Sequence, residues 1–267
     1  MKEILIIIIL GIVEGITEFF PISSNGHLIL INYIFNIDKE NIQNIIKIIQ
    51  IGPIFSIILL FKEKIKKSIT FFYFNINNIK KKLILILFNL VLSCIPISIL
   101  GFMFYKKLEE FYSPKYISYF LILGSIFFIL SEFISLKKIK IDNFKKISFL
   151  KYFIIGSSQC FSLLPGVSRL GITISIGLIL NIDRYVLFKF SMILFSSIMP
   201  AVLILEVYKN FFYLKENIFF VIIGVMSSFL TSLIFGRTAI KIMKNTSLII
   251  FAIYRIFIAC IILFTCN

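Results

Sequence analysis

Long apolar runs separated by short clusters of charge dominate the chain. Six of them, at about 45–61, 83–104, 116–136, 185–207, 217–235 and 248–264, have a length suited to crossing a membrane. A helix needs roughly 20 apolar residues to span a hydrocarbon core of about 30 Å. Two further apolar segments are short and interrupted. One runs over 4–20, is broken by "EGITEFFPISSNGH" and resumes only at 28–35; the other covers 152–164 and 172–180 around "PGVSRLG". Each predicts two short helices that enter and leave by one membrane face. Non-helical backbone at membrane depth is tolerated only where protein or a watery cavity satisfies it.

The two interruptions are related. "GIVEGITEFFPISSNG" (11–26) and "GSSQCFSLLPGVSRLG" (156–171) share a glycine, then Glu or Gln, then Thr or Ser, then proline, serine and a closing glycine, with one gap. Each is followed by three candidate spans, and three is odd, so the second element must enter from the opposite face to the first. The expected fold class is an all-α integral membrane protein of two inverted-topology repeats, each a re-entrant helix pair plus three transmembrane helices. It forms a single membrane domain over 1–267, with repeat 1 at about 1–136, a cytoplasmic basic loop at about 137–151 and repeat 2 at about 152–267. Paired interrupted segments at corresponding places in two halves point to a site near the bilayer midplane.

Composition narrows this reading. With 59% hydrophobic and 15% charged residues and a mean hydropathy of +1.02, a soluble fold is excluded. The formal charge of +15 would suit an acidic partner, but the lysines sit in short loops between apolar runs, which is a topology signal, and no nucleic-acid partner is expected. Basic side chains number seven in 62–82, three in 105–115, six in 137–151, two in 208–216 and three in 236–247. The alternation places 62–82 and 137–151 in the cytoplasm and both termini outside. The N-terminal run lacks a small-residue cleavage site and leads straight into glutamates, so it is read as mature structure. Cys94, Cys160, Cys260 and Cys266 show no metal-ligand spacing and are read as small apolar packing residues.

The polar interruptions carry the chemistry. Glu14 and Glu18, four apart, share a helix face, and two carboxylates at membrane depth call for a cation or a shared proton; the alternative is a helix end dipping into water. Pro21 stops the helix, Ser23, Ser24 and Asn25 favour a turn or N-cap, and Gly26 frees the backbone. A helix starting there aims free N–H groups at an anion. His27, the one histidine, suits general acid/base work or nucleophilic attack. Arg169 supplies a cation that binds phosphate bidentately or neutralises the glutamates, with Ser168 and Thr173 as nearby hydroxyls. Gln50 and Gln159 are second-rank site candidates. Arg255 either faces the cavity or pairs with a glutamate such as Glu132 or Glu206. The set suits phosphoryl transfer.

These residues carry a resemblance to the undecaprenyl pyrophosphate phosphatase family, integral-membrane enzymes also known for bacitracin resistance. "EGITEFFPISSNGHLIL" is similar to its first signature, "PGVSRLGITISIGLIL" to its second, and "IQIG" and "FAIYR" sit where the family has similar runs. The resemblance implies hydrolysis of undecaprenyl pyrophosphate to undecaprenyl phosphate and inorganic phosphate in the bacterial inner membrane, recycling the lipid carrier for peptidoglycan precursors. It implies functional roles for Glu14, Glu18, Ser24, His27 and Arg169, phosphate contacts at Ser168 and Thr173, and a divalent cation, Mg2+ or Ca2+. On this reading Glu14 and Glu18 hold the metal, and Asn25, Gly26 and Gln159 join the phosphate-binding set. Ser24 is the expected nucleophile with His27 as its base, while attack by His27 or by metal-bound water stays open. Expected partners are the polyprenyl pyrophosphate and membrane lipid, with a homodimer left open. Three positions depart from the signatures: Asn25 for Ser or Thr, Leu170 for the serine after the arginine, and Ile172 for a small residue. The competing reading is a transporter or flippase of polyprenyl phosphate, because inverted repeats around a midplane site also serve alternating access.

Overall fold

The computed structural model describes residues 2–35, 39–74, 79–135, 141–143 and 146–265, and no side chain is described for 2, 39–43, 63–87, 105, 106 or 109. Within these residues the chain is almost wholly helical: α1 (Lys2–Thr17), α2 (Ser24–Ile34), α3 (Lys39–Ile49), α4 (Ile51–Phe74), α5 (Ile79–Leu108), α6 (Pro114–Ser135), α7 (Phe149–Ser158), α8 (Arg169–Ile179), α9 (Arg184–Lys209), α10 (Phe211–Glu216), α11 (Ile218–Asn245) and α12 (Leu248–Thr265). Five stretches among the described residues, 44–62, 114–135, 184–209, 218–245 and 248–265, are long and apolar enough to cross a membrane. Large apolar side chains on these and neighbouring helices face outward, Phe102 and Phe212 at 80% exposure and Phe264 at 88%. In water such a surface would aggregate, so it is a lipid-facing surface. The chain is a multi-pass, all-α integral membrane protein.

Element boundaries correct the sequence expectation in several places. The span expected at 45–61 is present at 44–62, built from two helices, α3 and α4, that meet at Gln50. Pro53 has no N–H for the carbonyl of Ile49, so the ladder breaks there. That carbonyl instead accepts the Ser228 hydroxyl of α11 at 2.7 Å, which satisfies it away from water. Helix α11 continues to Asn245 rather than stopping near 235, because Arg237, Lys241 and Lys244 can extend their charged ends to the interface. Of the expected span 83–104, residues 88–104 form an apolar stretch of α5; the side chains of 83–87 lie outside the described residues. So do most side chains of the basic loop 62–82, parts of the loop 137–151, and Cys266. Cys94 and Cys160 are half-buried and free, and Cys260 is exposed and free.

Lipid tails are as apolar as leucine, so helix association here rests on close packing and interhelical hydrogen bonds. Helix α1 lies along α11, and α7 lies along α5. Gly11 meets Ser227 and Gly224 of α11, and Gly156 meets Ser93 of α5, so closely that a Cβ at either glycine would overlap them. At both crossings a hydroxyl donates to a carbonyl of the short helix: Ser232 to Gly15 at 3.2 Å and Ser93 to Tyr152 at 3.0 Å. Helices α6 and α12 pack against each other, with α8 on α6. At one end of this bundle the Glu132 carboxylate takes both oxygens to Arg184 Nη2, at 2.5 and 2.8 Å, and accepts the Leu248 N–H at the start of α12 at 2.7 Å. A carboxylate at a helix N-terminus is favoured by the helix dipole.

Candidate active site

Both interrupted segments fold as short helix, turn, short helix. In the first, α1 ends at Thr17, whose hydroxyl turns back to the Val13 carbonyl at 2.7 Å, and residues 18–22 form the turn around Pro21. Ser23 then caps α2, its hydroxyl accepting the Gly26 N–H at 3.3 Å. In the second, α7 runs into a single 3-10 stretch, Gln159–Leu163, the chain turns at Pro165 and Gly166, and Ser168 caps α8 by accepting the Gly171 N–H at 3.2 Å. Ser23 has φ +71° and Gly166 φ +106°. A serine held in the left-handed region is uncommon away from functional sites.

The caps pair the two interrupted segments in a different register. Pairing the signatures by their text matches Ser24 with Ser168. In the structure the equivalent caps are Ser23 and Ser168, each three residues before a glycine. Ser24 and Arg169 are therefore the first helical residues of α2 and α8. Candidate nucleophile and candidate phosphate-binding cation occupy the same position in the two elements, each at a helix N-terminus whose first N–H groups lack intrahelical acceptors.

One cavity joins the two tips. Thr17, Glu18, Ser23, Ser24, Asn25 and Gln50 line it from the first half, and Ser162, Pro165, Gly166, Ser168, Arg169 and Leu170 from the second. The Ser24 hydroxyl donates to Glu18 Oε2 at 2.6 Å. Gln50, at the break between α3 and α4, donates through Nε2 to Asn25 Oδ1 at 2.5 Å, which orients the residue beside Ser24. Glu14 is fully buried beneath this layer, and neither of its carboxylate oxygens accepts a hydrogen bond from the protein. Arg169 also keeps Nε and Nη1 unpaired, while its guanidinium carbon lies 4.9 Å from the centre of the Phe195 ring. The two glutamates and the arginine are close enough to interact electrostatically.

Other expected members lie elsewhere. His27 does not line the cavity. Its Nδ1 is 2.8 Å from the Ser23 carbonyl, an acceptor, so Nδ1 carries the proton and Nε2 is the acceptor for the Tyr254 hydroxyl at 2.8 Å. The two rings stack with planes 2° apart. With both ring nitrogens engaged, the expected His27–Ser24 contact is not made. Thr173 donates to the Arg169 carbonyl at 2.6 Å inside α8, Gln159 is buried with Nε2 on the Gly156 carbonyl at 3.3 Å, and neither they nor Gly26 line the cavity. Arg255 neither faces the cavity nor pairs with Glu132 or Glu206, because its hydrogen bonds go to carbonyls and a serine. Glu132 is taken by Arg184, and Glu206 lies 3.4 Å from Lys47. Tyr254 escaped the sequence reading since its role depends on a histidine 227 positions away.

A divalent cation was expected at Glu14 and Glu18. Among the described residues no group of three or more His, Cys, Asp and Glu side chains could hold one. The buried, unpaired Glu14 oxygens nevertheless fit a hard cation that takes one or two carboxylates and completes its shell with water and substrate phosphate, as Mg2+ does.

Comparison with known proteins agrees with the geometry. The chain is 39% identical over 264 residues to a protein of Baumannia cicadellinicola subsp. Homalodisca coagulata, covering 94% of each. It is 38% identical over 267 residues to one of Buchnera aphidicola subsp. Acyrthosiphon pisum (strain Tuc7), covering 99% of this chain and 98% of the relative. With one of Campylobacter fetus subsp. fetus (strain 82-40) the identity is 34% over 264 residues, 96% of each. All three bear the name undecaprenyl-diphosphatase. Residues 7–261 match the family described as Bacitracin resistance protein BacA, and the chain belongs to that family.

Proposed function

We propose that the chain hydrolyses undecaprenyl diphosphate to undecaprenyl phosphate and inorganic phosphate, recycling the lipid carrier of cell-wall precursors in the bacterial inner membrane. The observation that carries this reading is the Ser24 hydroxyl, 2.6 Å from Glu18 Oε2, at one helix N-terminus and facing Arg169 at another across one cavity. Relatives of near full length named for the same activity support it.

In this mechanism the terminal phosphoryl group rests between the N-termini of α2 and α8, where free N–H groups and the Arg169 guanidinium meet its charge. Ser24 Oγ attacks the terminal phosphorus as Glu18 takes its proton. The bond to the bridging oxygen breaks, and undecaprenyl phosphate leaves with the electron pair. Glu18 passes that proton to the departing undecaprenyl phosphate. Water then attacks the phosphoserine as Glu18 takes its proton and hands it to Ser24 Oγ while the P–O bond breaks, releasing phosphate and restoring the hydroxyl. Glu18 replaces His27 as the base because it touches the nucleophile. His27 instead fastens the Ser23 turn to α12 through Tyr254. Glu14 and Glu18 would hold Mg2+ or Ca2+, whose positive charge would offset the charge of the transferred group.

The finer architecture belongs to the same proposal: two inverted repeats in one membrane domain, each with a re-entrant pair whose tip reaches the cavity. Its support is the exchange of partners, α1 on α11 and α7 on α5, together with the matching caps. Phosphate release by detergent-purified protein, with and without chelator, tests the proposal. Release that falls on chelation and returns with Mg2+ or Ca2+ is expected. A protein that carries lipid phosphate between vesicle leaflets but releases no phosphate would be a carrier instead.

A further inference from the structure

Arg255 of α12 is fully buried, and a charge at membrane depth is costly enough to imply a function. Among the described residues no carboxylate lies within ion-pair distance of it. Its planar head is divided between the two site loops instead. Nη1 donates to the Pro21 carbonyl at 3.3 Å and Nη2 to the Gly166 carbonyl at 3.0 Å. These carbonyls are equivalent: each belongs to the residue two before a cap, Ser23 in one loop and Ser168 in the other. Further contacts frame the head. Nη2 also reaches the Leu121 carbonyl of α6 at 3.1 Å, Nε the Ser125 hydroxyl at 3.2 Å, and the head lies over Phe128 at 4.6 Å. Gly124 leaves room for it, since a Cβ there would overlap Nη2.

We propose that Arg255 is a positioning residue that ties the two loop tips to one another and to α6, setting the separation of Ser24 and Arg169. This deepens the hydrolase reading and rests on it. The fork matters because one guanidinium offers two nitrogens at fixed spacing, one per loop, whereas a lysine is a single point donor. Attack on phosphorus needs the nucleophile and the charge-stabilising groups aligned together, and a misplacement of about 1 Å can cost about 10²-fold in rate.

The test measures phosphate release from undecaprenyl diphosphate and peptide hydrogen exchange for wild type, Arg255→Lys and Gly124→Ala. Lysine keeps the charge and removes the fork; the alanine methyl displaces the guanidinium while leaving Arg255 in place, so the second variant decides if the first fails to fold. The expected result in either is a kcat lower by about 10²-fold with KM little changed, and faster exchange in residues 18–24 and 163–169 together. Wild-type kcat in a folded variant, or faster exchange in one loop alone or in neither, overturns the proposal. A wild-type protein that releases no phosphate would sink the hydrolase reading, while the exchange data would still decide whether Arg255 couples the loops.

Discussion

Ser24 is a serine like many others in this chain until its neighbour is known. A hydroxyl does not attack phosphorus readily unless a base takes its proton, and Glu18 Oε2 is the group in contact with it. Replacing Glu18 by Gln keeps the shape and removes the base, so kcat should fall about 10²- to 10⁴-fold, read as phosphate release at saturating substrate. Arg169→Ala should fall by about 10³-fold or more if it acts as phosphoryl-transfer arginines do. Tyr254→Phe removes only the hydroxyl on His27 Nε2, and the loss of one ordinary hydrogen bond predicts a change of about tenfold or less in kcat/KM. A Tyr254→Phe effect as large as that of Glu18→Gln would return the base role to His27. Glu14, Glu18, Ser24 and Arg169 were all legible as polar groups that an apolar segment would not carry idly. The orientation of His27 was not, because it depends on a carbonyl created by the Ser23 turn and a hydroxyl from the last helix.

The helix ends are where local sequence becomes site geometry. Ser23 both caps α2 and holds a positive φ, and these features predict different outcomes for two small substitutions. Ser23→Ala loses the cap, about 1 kcal/mol, and keeps the Cβ strain; Ser23→Gly loses the cap hydroxyl but relieves the backbone. Thermal unfolding in detergent should rank wild type and Gly close together, with Ala clearly lower. Between α3 and α4 the Ser228 hydroxyl stands in for the N–H that Pro53 lacks. Ser228→Ala leaves the buried Ile49 carbonyl unpaired and should lower stability by about 1–3 kcal/mol; an unchanged unfolding midpoint would show that the break is satisfied another way. The apolar runs and both proline interruptions could be read from hydropathy alone. Whether a run of 17 residues is one helix or two could not, because the hydroxyl that completes the break lies on a distant helix.

At the scale of the whole molecule, the account rests on two loops that reach one cavity from opposite halves of the chain. Composition and the long apolar runs sufficed to identify a multi-pass membrane protein. The clamp could not be foreseen: the sequence left Arg255 open to facing the cavity or pairing with a glutamate such as Glu132 or Glu206, but each of those carboxylates has a nearer cation and Arg255 bonds instead to carbonyls that exist only once both turns have formed. The central claim, that Ser24 takes the phosphoryl group at the meeting point of these turns, is tested most directly by quenching the enzyme during turnover of undecaprenyl diphosphate and weighing the peptide that carries residue 24. The account predicts one added phosphoryl group on Ser24 in wild type, and neither modification nor phosphate release in Ser24→Ala. Phosphate release at the wild-type rate by Ser24→Ala would contradict it.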